Sequence, residues 1–346
     1  MRVGLVSDVP PGTGHPVGEA VGRLAATLRR QGLAVELLVP QRRTHWPRRD
    51  GRWRGLAGVN THTGGRWGSW GARWARRFGL PHVHTHHLFR DPALLWLPPE
   101  LRPSLPLAEQ RSLGLATQAQ AVTVDSLLAW RELRRLGLRT PIHLTPLFHS
   151  LADLARPPRH SLRGELALPP RAQVVLGWGW RTVHQGRFAL YTFLEVARRQ
   201  PGVALVLPGG GETAEELEAE AARLGLKGRV LLPGEPPPAW ALDWLREADV
   251  VALFYPRPQE VLLALAGRAP VVTLPNPSGF LVPGENCLLA AEDELSFSHA
   301  ILEVLGDRGL AERLALGAWE TALRFSAESS ARKLVELLGG GNARTS

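Results

Sequence analysis

Four histidines fall within residues 82–87: His82, His84, His86 and His87. Imidazole exchanges protons near neutral pH and binds transition metals, so the cluster points either to polar catalysis or to a metal. Strand geometry separates the two. On a strand, 82, 84 and 86 share one face while 87 lies on the other. No carboxylate is closer in sequence than Asp91. No metal site is expected: the histidines read as structural side chains or, for His87 just past a short strand, as a polar group able to donate a hydrogen bond to a hydroxyl. A second group is cationic: Arg181, His184 and Arg187 follow Gly177-Trp178-Gly179-Trp180. The planar guanidinium fork suits a diphosphate. Glu260 could accept two hydrogen bonds at once.

Backbone groups form a third set. Gly12 and Gly14 sit where a strand hands over to a helix, and Gly209, Gly210 and Gly211 precede a helix that Thr213 is expected to cap. Glycine lets the main chain approach a phosphate closely, and a helix start offers free N–H groups. Gly12 and Gly14 do not form a Gly-x-Gly-x-x-Gly fingerprint, because residue 17 is Val17 and Gly18 comes one place late. Glu285 and Asn286 make a polar turn before Cys287.

These residues need strands to carry them. Arg2–Ser7, Ala34–Val39, Pro81–Thr85, Ala121–Val124 and Ile142–Thr145 read as strands, with helices between several of them. Residues 41–66 resist assignment. From Arg66, Trp67, Trp70, Trp74 and Phe78 recur at helical spacing. It reads as a core-facing helix with an arginine-rich polar side, or as an amphipathic helix resting on an anionic lipid surface. Pro157, Pro158, Pro169 and Pro170 mark a boundary. Beyond it, strands at 174–177, 203–207, 230–232, 250–254 and 271–273 alternate with helices, the first of them expected over Phe188–Arg199. This alternation predicts an α/β protein of two doubly wound parallel domains, residues 1–160 and 161–346, with ligands in a cleft at the strands' carboxyl ends. The last helix is free to pack back on the first domain.

Composition narrows the class. The 346 residues are 44% hydrophobic and 21% charged, enough for a real core. A single cysteine excludes a disulfide framework. Residues 1–160 carry 23 arginines against 10 acidic residues, whereas residues 161–346 carry 18 basic against 22 acidic. A basic first half suits a phosphorylated ligand or an anionic membrane surface. No nucleic-acid-binding module is evident. With no signal peptide or long apolar run, the expected location is cytoplasmic, peripheral to the inner membrane face where the basic half meets lipid.

The order of many short motifs resembles the GT-B-fold glycosyltransferases of retaining family 4. They are the opening strand with Gly14, Thr85-His86-His87, Val122–Ser126, Leu207–Gly211, Gly228–Gly234, Arg246–Val250, Pro270–Val272 and Gly284-Glu285-Asn286. The resemblance implies a nucleotide-sugar donor, no required metal or other cofactor, and front-face substitution in which the donor's phosphate takes the acceptor's proton. It assigns His87 and Glu260 to catalysis. Gly14, Arg181, His184, Arg187, Gly209, Gly211, Glu285 and Asn286 would hold the donor. It implies an acceptor of lipid-linked or cell-surface glycan type. Pro146-Leu147-Phe148-His149 replaces the family's usual asparagine-glycine turn, and the chain departs at three expected functional places. Trp178 stands where an arginine is expected, Gln185 where a lysine is expected, and Leu263 where a second glutamate is expected. A degenerate binding or scaffold subunit is therefore the competing reading. A nucleotide-sugar epimerase ranks last, for want of paired acidic residues.

Overall fold

A computed structural model describes residues 1–13, 15–40, 55–63, 65–87, 105–146, 148–209, 213–276 and 278–339. The chain divides into two compact units, one of residues 1–153 with 325–346 and one of residues 154–324. Among the described residues each unit holds one six-stranded parallel sheet.

In the first unit the order along the chain is β1 (Arg2–Val6), α1 (Pro16–Arg30), β2 (Ala34–Leu38), β3 (Gly58–Thr61), α2 (Arg66–Arg77) and β4 (His82–His86). It continues with α3 (Leu107–Ala116), β5 (Ala121–Val124), α4 (Leu127–Arg135), β6 (Ile142–Leu144) and α5 (Leu151–Ala155), whose last two residues enter the second unit. The strands lie in the order β2-β1-β3-β4-β5-β6. Val3, Leu5 and Val83 pack on Val21, Leu24 and Leu28 of α1.

The second unit runs α6 (Leu162–Glu165), β7 (Gln173–Trp178), α7 (Val183–Arg199), β8 (Val203–Val206), α8 (Ala214–Arg223), β9 (Val230–Leu231) and α9 (Pro238–Glu247). Then come β10 (Val250–Leu253), α10 (Pro258–Ala266), β11 (Val271–Thr273), β12 (Leu288–Leu289), α11 (Glu294–Gly306) and α12 (Arg308–Arg324). Its sheet order is β12-β11-β10-β7-β8-β9. Phe188, Phe193, Phe254 and Phe297 fill the core against α7 and α11. The last helix, α13 (Ala327–Leu337), belongs to the first unit, where Ala331 and Leu334 join the α1 core.

Several elements differ from the expectation. β3 and α3 carry no clear periodicity. β3 is buried throughout although it includes Asn60 and Thr61. Side-chain bonds make that tolerable: Asn60 donates to the Val83 carbonyl at 3.1 Å and to Thr85 Oγ1 at 3.0 Å. α7 starts at Val183, five residues before the expected Phe188, because Thr182 caps it by accepting from the Gln185 amide. Thr213 occupies the cap position of α8 but makes no side-chain capping bond. In α2 it is Gly68, Gly71, Ala72 and Ala75 that are buried, while the tryptophans flank that face half-buried and Phe78 is 52% exposed. Small residues bring this helix close to the sheet, and the aromatic stripe lies beside the contact.

Candidate functional site

In an open parallel sheet, ligands bind beyond the strands' carboxyl ends where neighbouring strands diverge in connection. Sheet order places that point between β1 and β3 in the first unit and between β7 and β10 in the second.

At the first point, Asp8 follows β1. Its carboxylate accepts from the Trp67 amide at 2.8 Å, the Gly68 amide at 3.4 Å and the Thr63 hydroxyl. The start of α2 therefore already holds the protein's own anion. The start of α1 is likewise occupied: His15 Nδ1 accepts from the Val17 amide at 3.2 Å, and Glu19 accepts from the Gly12 amide at 3.0 Å. Gly14 lies outside the described residues.

Histidines dominate the next two strand ends. His82, His84 and His86 are buried on one face, as strand spacing predicts. They form a chain. His82 Nε2 lies 2.9 Å from Thr61 Oγ1, which lies 2.8 Å from His84 Nδ1. His84 Nε2 and His86 Nδ1 each lie 2.8 Å from Ser112 Oγ. Each hydroxyl has one proton to give, so the tautomers along the chain are coupled. Burial pushes His82 down to about 4, opposed by hydrogen bonding to the Gln118 main chain, and pushes His84 well below its ordinary value, helped by the surrounding histidines.

His87 stands apart. It is half-buried, and its Nε2 lies 3.3 Å from Nδ1 of His62, the residue after β3. Burial first and the neighbouring His15 second push it down to about 4. His87 is thus a neutral hydrogen-bonding group rather than an acid at physiological pH. His62 falls in the stretch that resisted assignment. Its one signal is a polar run, Asn60 to Thr63, beside a strand-like valine. Among the described residues no group of three or more His, Cys, Asp and Glu could hold a metal ion.

At the second point, Arg181 ties the ends of both strands together. Its Nη1 donates to the Gly179 carbonyl at 2.8 Å, after β7, and to the Tyr255 carbonyl at 2.9 Å, after β10. Its Nη2 lies 2.7 and 2.6 Å from the two oxygens of Glu260. Glu260 also accepts from the Arg257 amide at 2.6 Å and so opens α10. Gly179 has φ +87°, and a Cβ there would stand 2.9 Å from Pro256 Cα, so only glycine lets the two loops meet.

The other expected residues are spread out. His184 is exposed in the first turn of α7. Arg187, one turn on, pairs with Glu216 of α8 at 2.6 Å. Gln185, in the place of the expected lysine, accepts from the Arg181 amide at 2.7 Å. Gly209 is buried after β8 with φ +94°, bonded to the Gly234 carbonyl, while Gly211 lies outside the described residues. Glu285 is exposed. Asn286 is buried: its Oδ1 accepts from the Val282 amide at 2.8 Å, and its Nδ2 donates to the Phe280 carbonyl at 2.8 Å and to Thr321 Oγ1 at 2.9 Å. It staples the turn to α12. Burial pushes the Cys287 thiol up to about 12, leaving it an inert core residue. The structure brings Arg181 and Glu260 together and sets Arg187, Glu285 and Asn286 in separate contacts.

HepE from Anabaena, solved in complex with UDP, superposes with a TM-score of 0.67 at 16% identity, covering 98% of this chain and 100% of that one. The fold is GT-B. In sequence, the chain is 33% identical to the lipopolysaccharide core biosynthesis glycosyltransferase LpsE of Rhizobium meliloti over 186 residues, 51% of this chain and 52% of that protein. It therefore spans about half the length of that relative. It is 28% identical over 319 residues to a D-inositol 3-phosphate glycosyltransferase of Xylanimonas cellulosilytica, 83% of this chain and 72% of that protein. No family model matches the chain.

Proposed function

We propose that the protein is a glycosyltransferase that takes a sugar from a nucleotide-sugar donor. The observation that carries this is Arg181, a guanidinium anchored across the second switch point next to the start of a long helix, in a chain similar to glycosyltransferases over most of its length. Guanidinium and helix N-terminus together favour a diphosphate. In the free protein Glu260 satisfies Arg181. A bound diphosphate would compete for the same fork, so Glu260 would turn toward sugar or ribose hydroxyls. His87, held neutral, would hydrogen-bond the donor sugar and not protonate it. Gly209, Gly211, Glu285 and Gly14 remain candidates for donor contacts through main chain or carboxylate, and Asn286 would act by holding its turn. Retention, by front-face substitution without a metal or other cofactor, is the stereochemistry we assign.

Calorimetry against nucleoside diphosphates and their sugars, UDP first, is the direct test. Saturable binding is expected, and heat-silent titrations with every nucleotide would overturn the proposal. Donor hydrolysis then reads chemistry without a known acceptor. For the acceptor we propose a lipid-linked or cell-surface glycan, reached from the cytoplasmic face of a membrane. Among the described residues no helix is long and apolar enough to cross one. The arginines of α2 would then meet anionic lipid, and pelleting with anionic vesicles should fall steeply as salt rises. Equal recovery in the supernatant with anionic and neutral vesicles at low salt would refute that part.

A further inference from the structure

His62 is fully buried at the end of β3, one strand away from His87. The two ring centroids are 5.6 Å apart and the planes differ by 26°. That separation is close to the 3.3 Å nitrogen–nitrogen distance plus two ring radii. The rings therefore meet edge to edge, in the arrangement of an N–H···N hydrogen bond. Both are neutral, since burial holds His62 well below its ordinary value as it does His87. One proton lies between them, and the question is which ring owns it.

The far nitrogen answers that. His62 Nε2 is buried and has no hydrogen-bond partner. If His87 Nε2 donated to His62 Nδ1, the single proton of His62 would sit on that Nε2. A buried N–H without an acceptor loses its hydration and gains nothing in return. If His62 Nδ1 donates instead, the unpartnered Nε2 carries only a lone pair, the less costly defect. The second arrangement leaves His87 accepting at Nε2, so its own proton must be on Nδ1.

We propose that His62 is a positioning residue that holds His87 as its Nδ1–H tautomer, so that this edge of the first unit offers a ligand a hydrogen-bond donor. The proposal deepens the transferase reading and takes its ligand from it: a sugar hydroxyl or ether oxygen would accept from His87 Nδ1–H. It makes His87 selective. Groups that can only donate would find no acceptor there, because Nε2 is already engaged. His62 touches no ligand and acts through His87 alone.

The test is the imidazole 15N spectrum of the ligand-free protein at pH 7, assigned with His62→Asn, His62→Leu and His87→Ala. The expected result is a protonated Nδ1 and a bare Nε2 on both His62 and His87. His62→Asn supplies an amide N–H at nearly the same place and should keep the His87 tautomer. His62→Leu removes the donor and should let the His87 proton spread to Nε2. A wild-type His87 protonated on Nε2 would overturn the proposal, and so would an unchanged tautomer in His62→Leu. The wild-type spectrum decides even if His62→Leu does not fold. Donor hydrolysis adds a second readout, roughly tenfold slower in His62→Leu and near wild type in His62→Asn, the worth of one hydrogen bond. Tautomer changes without turnover in any variant would uphold the positioning role and count against the transferase reading.

Discussion

Acid should loosen the first unit through its histidines. His82 is 7% exposed, with its Nε2 engaged by Thr61, and has its proton equilibrium pushed down to about 4. In the unfolded chain the same ring titrates near 6.5. The folded state thus binds fewer protons than the unfolded state between these values, and stability must fall as pH falls through that window. Above about 6.5 the contribution is complete. At pH 4.5 the linkage from His82 alone has removed roughly 2.5 kcal/mol, with a further loss from the deeply buried His62 and His84. Urea denaturation read by hydrogen exchange of the β3 and β4 amides follows this unit by itself. Carboxylates also titrate in this range, so the informative quantity is the difference between wild type and His82→Gln. Glutamine does not titrate. The variant should be weaker at pH 7, through lost ring packing, yet shallower in its pH dependence by up to one proton. Equal slopes in the two proteins would refute the argument that the histidine chain is neutral because it is buried.

Four further variants probe single contacts. Asn286→Ala removes the acceptor of the Val282 amide and the donor to the Phe280 carbonyl and to Thr321 Oγ1. It should cost about 2–4 kcal/mol in chemical denaturation; nucleotide affinity lost with stability unchanged would make Asn286 a ligand contact instead. Gly317→Ala places a Cβ 2.2 Å from the Glu285 carbonyl oxygen, so α12 must back away from the turn. A cost of about 1–3 kcal/mol is expected, and an unchanged Tm would contradict the close seating. Arg181→Ala should weaken UDP binding at least roughly tenfold, as expected for a charge-assisted bond. Arg187→Ala breaks an exposed pair and should change stability by under about 1 kcal/mol, leaving UDP binding intact; the reverse ranking in calorimetry would move the phosphate site.

Regular alternation made most of the fold legible. Ala121–Val124 and Val271–Thr273 have the bounds their valines suggest. What escaped was buried and polar at once. β3 hides Asn60 and Thr61, whose partners Val83, Thr85, His82 and His84 lie over twenty residues away, so no local pattern announces them. α3 buries Glu109 and Ser112 among apolar residues, which erases its periodicity. Arg181 and Glu260 were visible as residue types, but their pairing depends on β7 and β10 being neighbours. His184 and Arg187 were misjudged as loop residues because the Thr182 cap carries no apolar signal. His62 needed the β3–β4 register before it could be set beside His87.

The return of α13 to the first unit bears on how the protein is made. Leu334 and Leu338 complete the core over α1, and Leu338 lies so close to β3 that a Cβ on Gly58 would stand 2.9 Å from it. Gln31 and Gln120 donate to the Glu328 and Leu337 carbonyls, and Ser330 donates to the Pro146 carbonyl. During synthesis the amino-terminal sheet therefore emerges long before its covering helix exists. The second unit, residues 154–324, is contiguous and has all its parts once Arg324 clears the ribosome. The later half of the nascent chain can close first, while the earlier half waits with the α1 face bare.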